Sequence, residues 1–285
     1  MPNIISISSH VAFGAVGNRI IVPALEMLGV TVTAINTVQL PWHPGMNARF
    51  GVGTKIVPDD QSLTAMIDNL SQAPWLGQVG GLMSGYLGSP AQAGAIANLI
   101  RALKQANPNA LYLCDPVIGD KNRAGNGGLY VPEATAIAIR HHLWPLADIV
   151  TPNLFEFGWM TDEASAFNTD IIKTAKALNK RHVVVTSIDA GNSRIGNLLV
   201  SKGTKSLISQ NILSPTPNGT GDMLAALFLG SLVIGQTAIN ALNFAAGAVF
   251  SAIKRSNQTG ELSLEPKHLR AVSDDAPVTL TVEDI

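Results

Sequence analysis

The stretch Pro217–Leu229 combines residue types that transfer of a charged group would need. Two glycines, Gly219 and Gly221, flank Thr220, and the carboxylate of Asp222 follows at once. Glycine lets the backbone turn tightly and approach a ligand closely. The first N–H groups of a helix have no internal partner and lie at the positive end of its dipole. The stretch therefore predicts an anion site beside a proton acceptor, the pair that phosphoryl transfer to an alcohol requires.

A purely structural interpretation of the same stretch is also open. Asp and Thr are good helix caps, so Gly-Thr-Gly-Asp is equally typical of a loop that leads into a helix. Short motifs of this kind also arise by chance. If a helix does begin here, its dipole should keep Asp222 ionised, and we expect a weak base with a low pKa.

Apolar segments alternate with helical patterns along the chain. Strands are expected over 3–9, 30–38, 78–84, 110–117, 147–151 and 182–188, with a hairpin over 195–212; helices are expected over 18–28, 60–72, 90–107, 169–179, 222–233 and 236–254, with another from Pro132. The alternation predicts a three-layer α/β fold, with a mostly parallel central sheet and helices on both faces. Segments 39–58 and 118–130 are expected as loops. We see no linker, so residues 1–285 are expected to form a single domain.

Polar residues follow the predicted strands in nearly every case. Ligands bind beyond the carboxyl ends of the strands in such sheets. These positions therefore form a candidate site: Ser9, His10, Asn36, Thr37, Ser84, Gly85, Tyr86, Asp115, Thr151, Asn153, Thr186, Ser187 and the Gly219 turn.

Oxygen ligands among these residues are of the type that Mg²⁺ prefers. Asp115 ends a buried strand, and Asn153 and Glu156 would share one helix face. Structural alternatives remain for each: Asp115 as a turn cap, and Asn153 with Glu156 as a capping box. His10 and His43 are interpreted as packed or solvated imidazoles, Phe13 as a core residue, and Tyr86 as either core or ring contact.

The composition excludes several classes of protein. The chain has 285 residues, a formal net charge of −1 and one cysteine, Cys114. These features argue against nucleic-acid partners, a membrane surface, a disulfide framework and a cysteine-based zinc site. Neither a signal peptide nor an apolar run of bilayer length is recognisable, so a cytoplasmic protein is the simplest expectation. The chain lacks the P-loop motif and a Gly-x-Gly-x-x-Gly after the first strand, which argues against P-loop kinases and dinucleotide oxidoreductases.

From Ile4 to about Lys254 the chain resembles the pyridoxal kinases of the ribokinase-like superfamily. The resemblance depends on an ordered set of motifs: S-H-V-A-F-G-A-V-G-N at 9–18, N-T-V-Q at 36–39, S-G-Y-L-G-S at 84–89, C-D-P-V-I-G-D at 114–120, Y-V-P-E at 130–133, A-D-I-V-T-P-N-L-F-E at 147–156, V-V-V-T-S at 183–187 and N-G-T-G-D at 218–222. It implies transfer of the γ-phosphate of ATP to the 5′-hydroxyl of pyridoxal or a related B6 vitamer, in vitamin B6 salvage. It also implies Mg²⁺, a monovalent cation such as K⁺, and a homodimer.

The resemblance also implies roles for individual residues. Asp222 would be the catalytic base and Gly219, Thr220 and Gly221 the anion hole. The pyridine pocket would comprise Ser9, Val11, Phe13, Thr37, His43 and Tyr86; the nucleotide and phosphates would contact Asp115, Tyr130, Thr151, Asn153, Glu156, Thr186, Ser187 and Gly219; and the metal would lie at Asp115 and Glu156. The loop 118–130 would cover the phosphates and exclude water.

The chain departs from the family pattern at several positions. Phe13 replaces a tyrosine often found there, segment 39–50 is rich in proline, the tip of segment 121–128 is unusual, and the reactive cysteine of some relatives is missing from the C-terminal glycine region. Hydroxymethylpyrimidine kinase activity on a similar ring is the closest alternative. A non-catalytic B6-binding protein is a second, and a sugar kinase is disfavoured because the first strand's exit lacks the carboxylate and glycine that sugar hydroxyls need.

Overall fold

The computed structural model describes residues 2–121, 127–163, 168–256, 261–262 and 278–281. The strands within these ranges are β1 (Asn3–Phe13), β2 (Thr31–Trp42), β3 (Val79–Ser84), β4 (Leu111–Cys114), β5 (Gly119–Lys121), β6 (Gly127–Leu129), β7 (Ile149–Val150), β8 (His182–Asp189), β9 (Arg194–Ser201), β10 (Thr204–Asn211) and β11 (Val278–Thr281). The helices are α1 (Asn18–Glu26), α2 (Asn47–Phe50), α3 (Asp60–Ser71), α4 (Pro90–Ala106), α5 (Glu133–Ala138), α6 (Leu154–Thr161), α7 (Asn168–Ala177), α8 (Thr220–Val233) and α9 (Ala238–Ser256).

Nine of these strands form one sheet, in the order β11-β10-β9-β8-β7-β4-β3-β1-β2. The strands from β2 to β8 in this order are parallel to one another. Strands β9, β10 and β11 continue the sheet in antiparallel fashion. The prediction of a mostly parallel α/β sheet is confirmed, and the parallel strands direct their carboxyl ends to one common edge.

Helices cover both faces of the sheet because successive strand residues point to opposite sides. Ile5 packs into a core with residues of α3, α4, α5, α6 and α7. Its neighbour Ile4 packs on the other face, into a core with residues of α1, α8 and α9. The result is the expected three-layer arrangement. Within the described part of the chain, no helix has both the length and the apolar character needed to cross a bilayer.

The ends of β1 and β2 differ from the sequence-based expectation. The two strands stay paired as far as Phe13 and Trp42, past a register shift between Ser8 and His10. Segment 39–58 is therefore not simply a loop: it contains the end of β2, a 3₁₀ turn at Pro44–Met46 and α2. Proline suggested a loop here, but β2 is an edge strand, where a missing N–H is tolerated.

Two other boundaries differ from expectation. Strand β4 ends at Cys114 rather than at residue 117, because Asp115 and Pro116 begin the turn that leaves the sheet. Segment 118–130 contains the small hairpin β5–β6, and its residues 122–126, which include most of the unusual tip, lie outside the described residues. The hairpin expected over 195–212 is confirmed as β9 and β10.

Substitution of Phe228 tests the core between α1, α8 and α9, because the Phe228 side chain is fully buried there. Phe228→Ala should lower the free energy of unfolding by about 3–5 kcal/mol, because both apolar contact and packing are lost. Urea unfolding followed by circular dichroism measures this change. Ile234→Ala, at the exposed end of the same helix, serves as the control and should change stability by less than about 0.5 kcal/mol. An equal loss of unfolding free energy in the two variants would contradict the assignment of Phe228 to this core.

Candidate active site

The turn before α8 packs against the segment that joins β1 to α1. Gly219 has a φ of 89°, and a Cβ there would lie 1.9 Å from the backbone oxygen of Ala15. Gly17 has a φ of 56°, and a Cβ there would lie 2.2 Å from the backbone oxygen of Ser9. Each position therefore requires glycine for both conformation and space. Sequence analysis found the first glycine turn and gave the second no role.

The close approach of these segments brings the amino ends of α1 and α8 next to each other. The backbone N–H of Gly17 donates a hydrogen bond to Asp222 Oδ2, with a donor–acceptor distance of 3.0 Å. Asp222 lies in the first turn of α8, three residues after Gly219. One carboxylate oxygen is thus held by the protein backbone. Thr220 and Gly221 begin the helix beside it.

Asp115 is buried at the carboxyl end of β4. Its Oδ1 accepts a hydrogen bond of 3.0 Å from the Thr151 hydroxyl, which follows β7. Asp115 also interacts electrostatically with Asp222 and Glu156: beyond the effect of burial, the charge of Asp222 raises the pKa of Asp115, and the charge of Asp115 raises the pKa of Glu156. The structure therefore brings three of the predicted carboxylates into one region.

Glu156 anchors the loop after β4 to the start of α6. Its Oε1 accepts hydrogen bonds from the N–H groups of Ile118, at 3.0 Å, and Gly119, at 3.4 Å. Its Oε2 accepts one from the N–H of Asn153, whose own side chain accepts from the Glu156 N–H at 2.9 Å. This reciprocal pair is a capping box, so the structural interpretation of these two residues is confirmed. Asn153 Nδ2 also donates to the Gly119 carbonyl at 2.8 Å.

The expectation of a low pKa for Asp222 is wrong. Burial raises its pKa to about 6, and the Gly17 hydrogen bond only partly opposes this effect. Burial is also the main cause that raises the pKa values of Asp115 and Glu156, and repulsion adds to it, from Asp222 at Asp115 and from Asp115 at Glu156. Loss of hydration therefore outweighs the stabilising Gly17 hydrogen bond at Asp222.

Thr37, within β2, meets Tyr86, which follows the end of β3. The Thr37 hydroxyl donates to the Tyr86 carbonyl at 2.6 Å, and the buried Gln92 donates to the Thr37 carbonyl at 3.0 Å. Lys55 lies over the Tyr86 ring, 5.2 Å from its centroid, and its Nζ donates to the phenol oxygen at 3.1 Å. Gln92 and Lys55 were not found from sequence, because each is separated from the motifs and carries no spacing signal.

A cavity of about 200 Å³ lies between the segment after β2 and the segment before α8. Its lining includes His43, Met46, Asn218 and Glu261. His43 is largely buried, which lowers its pKa. A Cβ on Gly14 would lie 3.4 Å from both the Glu261 carboxylate and the His43 ring, so these two side chains face one point. Glu261 lies beyond the last recognised motif, and sequence analysis missed it.

The other predicted residues vary in how closely they approach this region. Ser9 and Val11 are buried in β1. Phe13 is 51% exposed and packs edge-on against Phe50, so its interpretation as a core residue is wrong. Tyr130 is mostly exposed, although its N–H donates to the Ile118 carbonyl at 2.6 Å.

Thr186 and Ser187 lie at an irregularity of β8. The Thr186 N–H donates to the Pro152 carbonyl at 2.9 Å, which places it beside Asn153. Ser187 is exposed and has a φ of 63°, the left-handed region that few residues other than glycine adopt. The two residues therefore stand at the same edge of the sheet as Asn153, with Ser187 directed to solvent.

A three-layer α/β fold with a glycine turn and a carboxylate at this edge defines the ribokinase-like class of small-molecule kinases. The family model described as phosphomethylpyrimidine kinase matches residues 78–266. The chain is 34% identical over 272 residues to the pyridoxal kinase PdxY of Granulibacter bethesdensis, covering 92% of each chain. It therefore belongs to the pyridoxal kinase family of the ribokinase-like superfamily.

Solved structures show the same fold. The pyridoxal kinase of Entamoeba histolytica superimposes with a TM-score of 0.86 at 22% identity, covering 99% of this chain and 100% of that one. The pyridoxal kinase of Leishmania donovani, solved with ADP and ginkgotoxin, superimposes with a TM-score of 0.84 at 24% identity, covering 98% and 99%. These likenesses confirm the architecture.

The raised pKa of Asp222 predicts that this carboxylate lowers stability near neutral pH. A group whose pKa is higher in the folded state stabilises the fold below its unfolded-state pKa of about 4, and this contribution is lost as the pH rises through the folded-state value of about 6. With divalent cations chelated, Asp222→Asn should therefore be more stable than wild type at pH 7, by roughly 1–3 kcal/mol. The difference should shrink toward pH 4.

Urea unfolding at a series of pH values measures this difference. Comparison with the variant is needed because burial lowers the pKa of His182 to about 4, which gives an opposite pH dependence below pH 6.5. Asp68→Asn, at an exposed position of α3, is the matched control and should follow wild type. A stability difference that does not vary between pH 4 and pH 7 would contradict the raised pKa.

Proposed function

We propose that this protein transfers the γ-phosphoryl group of ATP to the 5′-hydroxyl of pyridoxal, and of pyridoxine or pyridoxamine, in vitamin B6 salvage. The observation that carries the proposal is the Gly219–Asp222 turn, which offers backbone N–H groups and a partly desolvated carboxylate at one helix terminus. Relatives named pyridoxal kinase, similar over nearly the whole chain, support the choice of substrate.

Asp222 acts as the general base in this proposal. A base is most effective when its pKa approaches the working pH, so a value of about 6 suits proton removal better than an ordinary aspartate would. The amides at Gly219, Thr220 and Gly221 would stabilise the negative charge on the transferred group. Burial, the feature that raises the pKa, would also strengthen these hydrogen bonds.

A magnesium ion would lie at Asp115, with Glu156 beside it contributing negative charge, because both Glu156 oxygens already accept hydrogen bonds from backbone N–H groups. Both side chains are buried oxygen donors whose pKa values burial and like charge raise, so a cation would relieve their repulsion. No group of three or more His, Cys, Asp or Glu side chains suited to a metal occurs in the described ranges. When bound, Mg²⁺ supplies positive charge to the phosphate oxygens. Thr151 would orient Asp115, while Glu156, already held by three backbone N–H groups, would orient the loop after β4. The K⁺ requirement depends on the family resemblance alone.

The substrate and nucleotide would lie on opposite sides of Asp222. The B6 ring would contact Ser9, Val11, Phe13, Thr37, His43 and Tyr86, and of these residues His43 lines the cavity described above. The nucleotide would contact Tyr130, Asn153, Thr186, Ser187 and Gly219. The hairpin β5–β6 would cover the phosphates and exclude water, which otherwise would hydrolyse ATP.

Hydroxymethylpyrimidine kinase activity remains the second candidate, because the matching family model carries the description phosphomethylpyrimidine kinase. The pyridoxal kinase relatives favour the first candidate, since they match over more than nine-tenths of the chain. We further propose a cytoplasmic homodimer in which residues 1–285 form a single domain. The continuous sheet supports the single domain, while the dimer and the location follow the family resemblance.

Asp222→Asn tests the base. The variant should keep nucleotide affinity but lose turnover of pyridoxal by roughly 10²–10⁴-fold, because the amide cannot accept the proton. Turnover is measured with ATP and Mg²⁺ against pyridoxal, pyridoxine, pyridoxamine and hydroxymethylpyrimidine, and nucleotide affinity by calorimetry. Near-normal turnover in the variant would show that Asp222 is not the general base. Turnover of the pyrimidine alone would favour the second candidate, and tight pyridoxal binding with no turnover by wild type would indicate a binding protein.

Asp115→Asn tests the metal assignment. With one carboxylate lost, the Mg²⁺ concentration for half-maximal turnover should rise by about tenfold, and chelation with EDTA should abolish turnover in wild type. Asp68→Asn, at an exposed position of α3, is the control and should show the Mg²⁺ dependence of wild type. An unchanged Mg²⁺ dependence in Asp115→Asn would show that Asp115 does not contribute to the metal site.

A further inference from the structure

We propose that Asn18 is a positioning residue, which holds the Gly17 amide against Asp222 and so determines which carboxylate oxygen takes the proton of the substrate. The inference depends on the proposed function, since it assigns a role relative to the catalytic base. Neither the sequence motifs nor the family resemblance gave this residue a role.

Asn18 is a buried polar residue whose side chain bonds to both strands beside it. It is 3% exposed, in the first turn of α1. Its Oδ1 accepts a hydrogen bond of 2.7 Å from the Ser6 hydroxyl. Its Nδ2 donates to the Ile35 carbonyl at 2.9 Å and to Asn36 Oδ1 at 2.8 Å, with a longer contact of 3.3 Å to the Ser8 carbonyl. Both ends of the amide therefore form hydrogen bonds that connect α1 to β1 and β2.

These bonds determine where the adjacent Gly17 lies. The Gly17 carbonyl accepts the first hydrogen bonds of α1, from Ile20 and Ile21. Its N–H points the other way, to Asp222 Oδ2. Because Gly17 already lies too close to Ser9 for any side chain, it cannot shift toward β1. Asn18 on one side and the Ser9 contact on the other thus hold the amide in place.

The consequence for Asp222 is a defined orientation. Oδ2 is engaged by the Gly17 N–H, which leaves Oδ1 to accept the proton of the attacking hydroxyl. Without the amide the carboxylate can rotate, and a displacement of about 1 Å at a catalytic group costs on the order of 10²-fold in rate. Nothing in this role requires Asn18 to touch substrate, so binding should be affected far less than turnover.

The test is a double-mutant cycle between Asn18→Ala and Asp222→Asn, with steady-state kinetics on pyridoxal and ATP. Asn18→Ala should lower kcat by roughly 10–100-fold and leave both KM values within about twofold. In the Asp222→Asn background, measured from residual turnover with radiolabelled ATP, the same substitution should change kcat by less than about twofold, because the group that Asn18 positions is already lost.

Two further variants separate positioning from general stability. Asn107→Ala removes an amide that donates to the Val79 carbonyl at 2.9 Å, at the opposite end of the strands. It should lower Tm while kcat stays within about twofold of wild type. Ser6→Ala removes only the bond to Asn18 Oδ1, and should lower kcat by about two- to fivefold; this milder change keeps the test decisive if Asn18→Ala does not fold.

Several results would overturn the inference. The first is a normal kcat in Asn18→Ala, or in Ser6→Ala if Asn18→Ala does not fold. The second is a rise in the KM of Asn18→Ala with no change in kcat, and the third is an equal loss of kcat on this substitution with Asp222 intact and in the Asp222→Asn background. The fourth is a loss of kcat in Asn107→Ala as large as in Asn18→Ala at an equal loss of Tm. If the wild-type protein phosphorylates a B6 vitamer and any of these results is found, the role of Asn18 is refuted while the proposed function is unaffected. Wild type that phosphorylates no B6 vitamer refutes the proposed function, and the inference with it.

Discussion

The close approach of two backbone segments is the constraint on which the candidate site depends. The segment after β1 and the turn before α8 meet where a Cβ on Gly219 would lie 1.9 Å from the Ala15 oxygen. This approach brings the amino ends of α1 and α8 together and places the Gly17 N–H on Asp222. Helices α1 and α8 pack in the same layer, in the core that Ile4 enters, and this shared packing holds the two segments at one edge of the sheet.

Burial governs the electrostatics of this edge. A helix dipole typically stabilises a carboxylate by up to about 1 kcal/mol, whereas removal of the carboxylate from water costs several kcal/mol. For Asp222 the second effect is larger, so the pKa rises to about 6. Local sequence indicates where the helix begins but not which layers cover its first turn. The expected direction of the pKa shift of Asp222 was therefore wrong.

The fold could be predicted from the sequence to a large extent, because apolar strands and amphipathic helices carry periodic signals. The glycine turn and Asp115 were likewise recognisable from residue type and position. Gln92 and Glu261 were not, since they lie outside the motifs; Asn18 ends a recognised motif, but its role follows only from hydrogen bonds to two separate strands. The end of β2 was misjudged because Pro41 is a loop signal except on an edge strand, and edge position is a property of the whole sheet.

The separation of the two hydrogen-bonded partners Gly17 and Asp222, 205 residues along the chain, has a consequence for folding. Contacts between such distant residues are among the slowest to form, because a long loop must close first. During synthesis from the N-terminus, strands β1 to β4 can pair long before α8 has been made. The parallel part of the sheet can therefore form before the candidate site, and Asp222, the proposed base, reaches the Gly17 N–H only as a late step of folding.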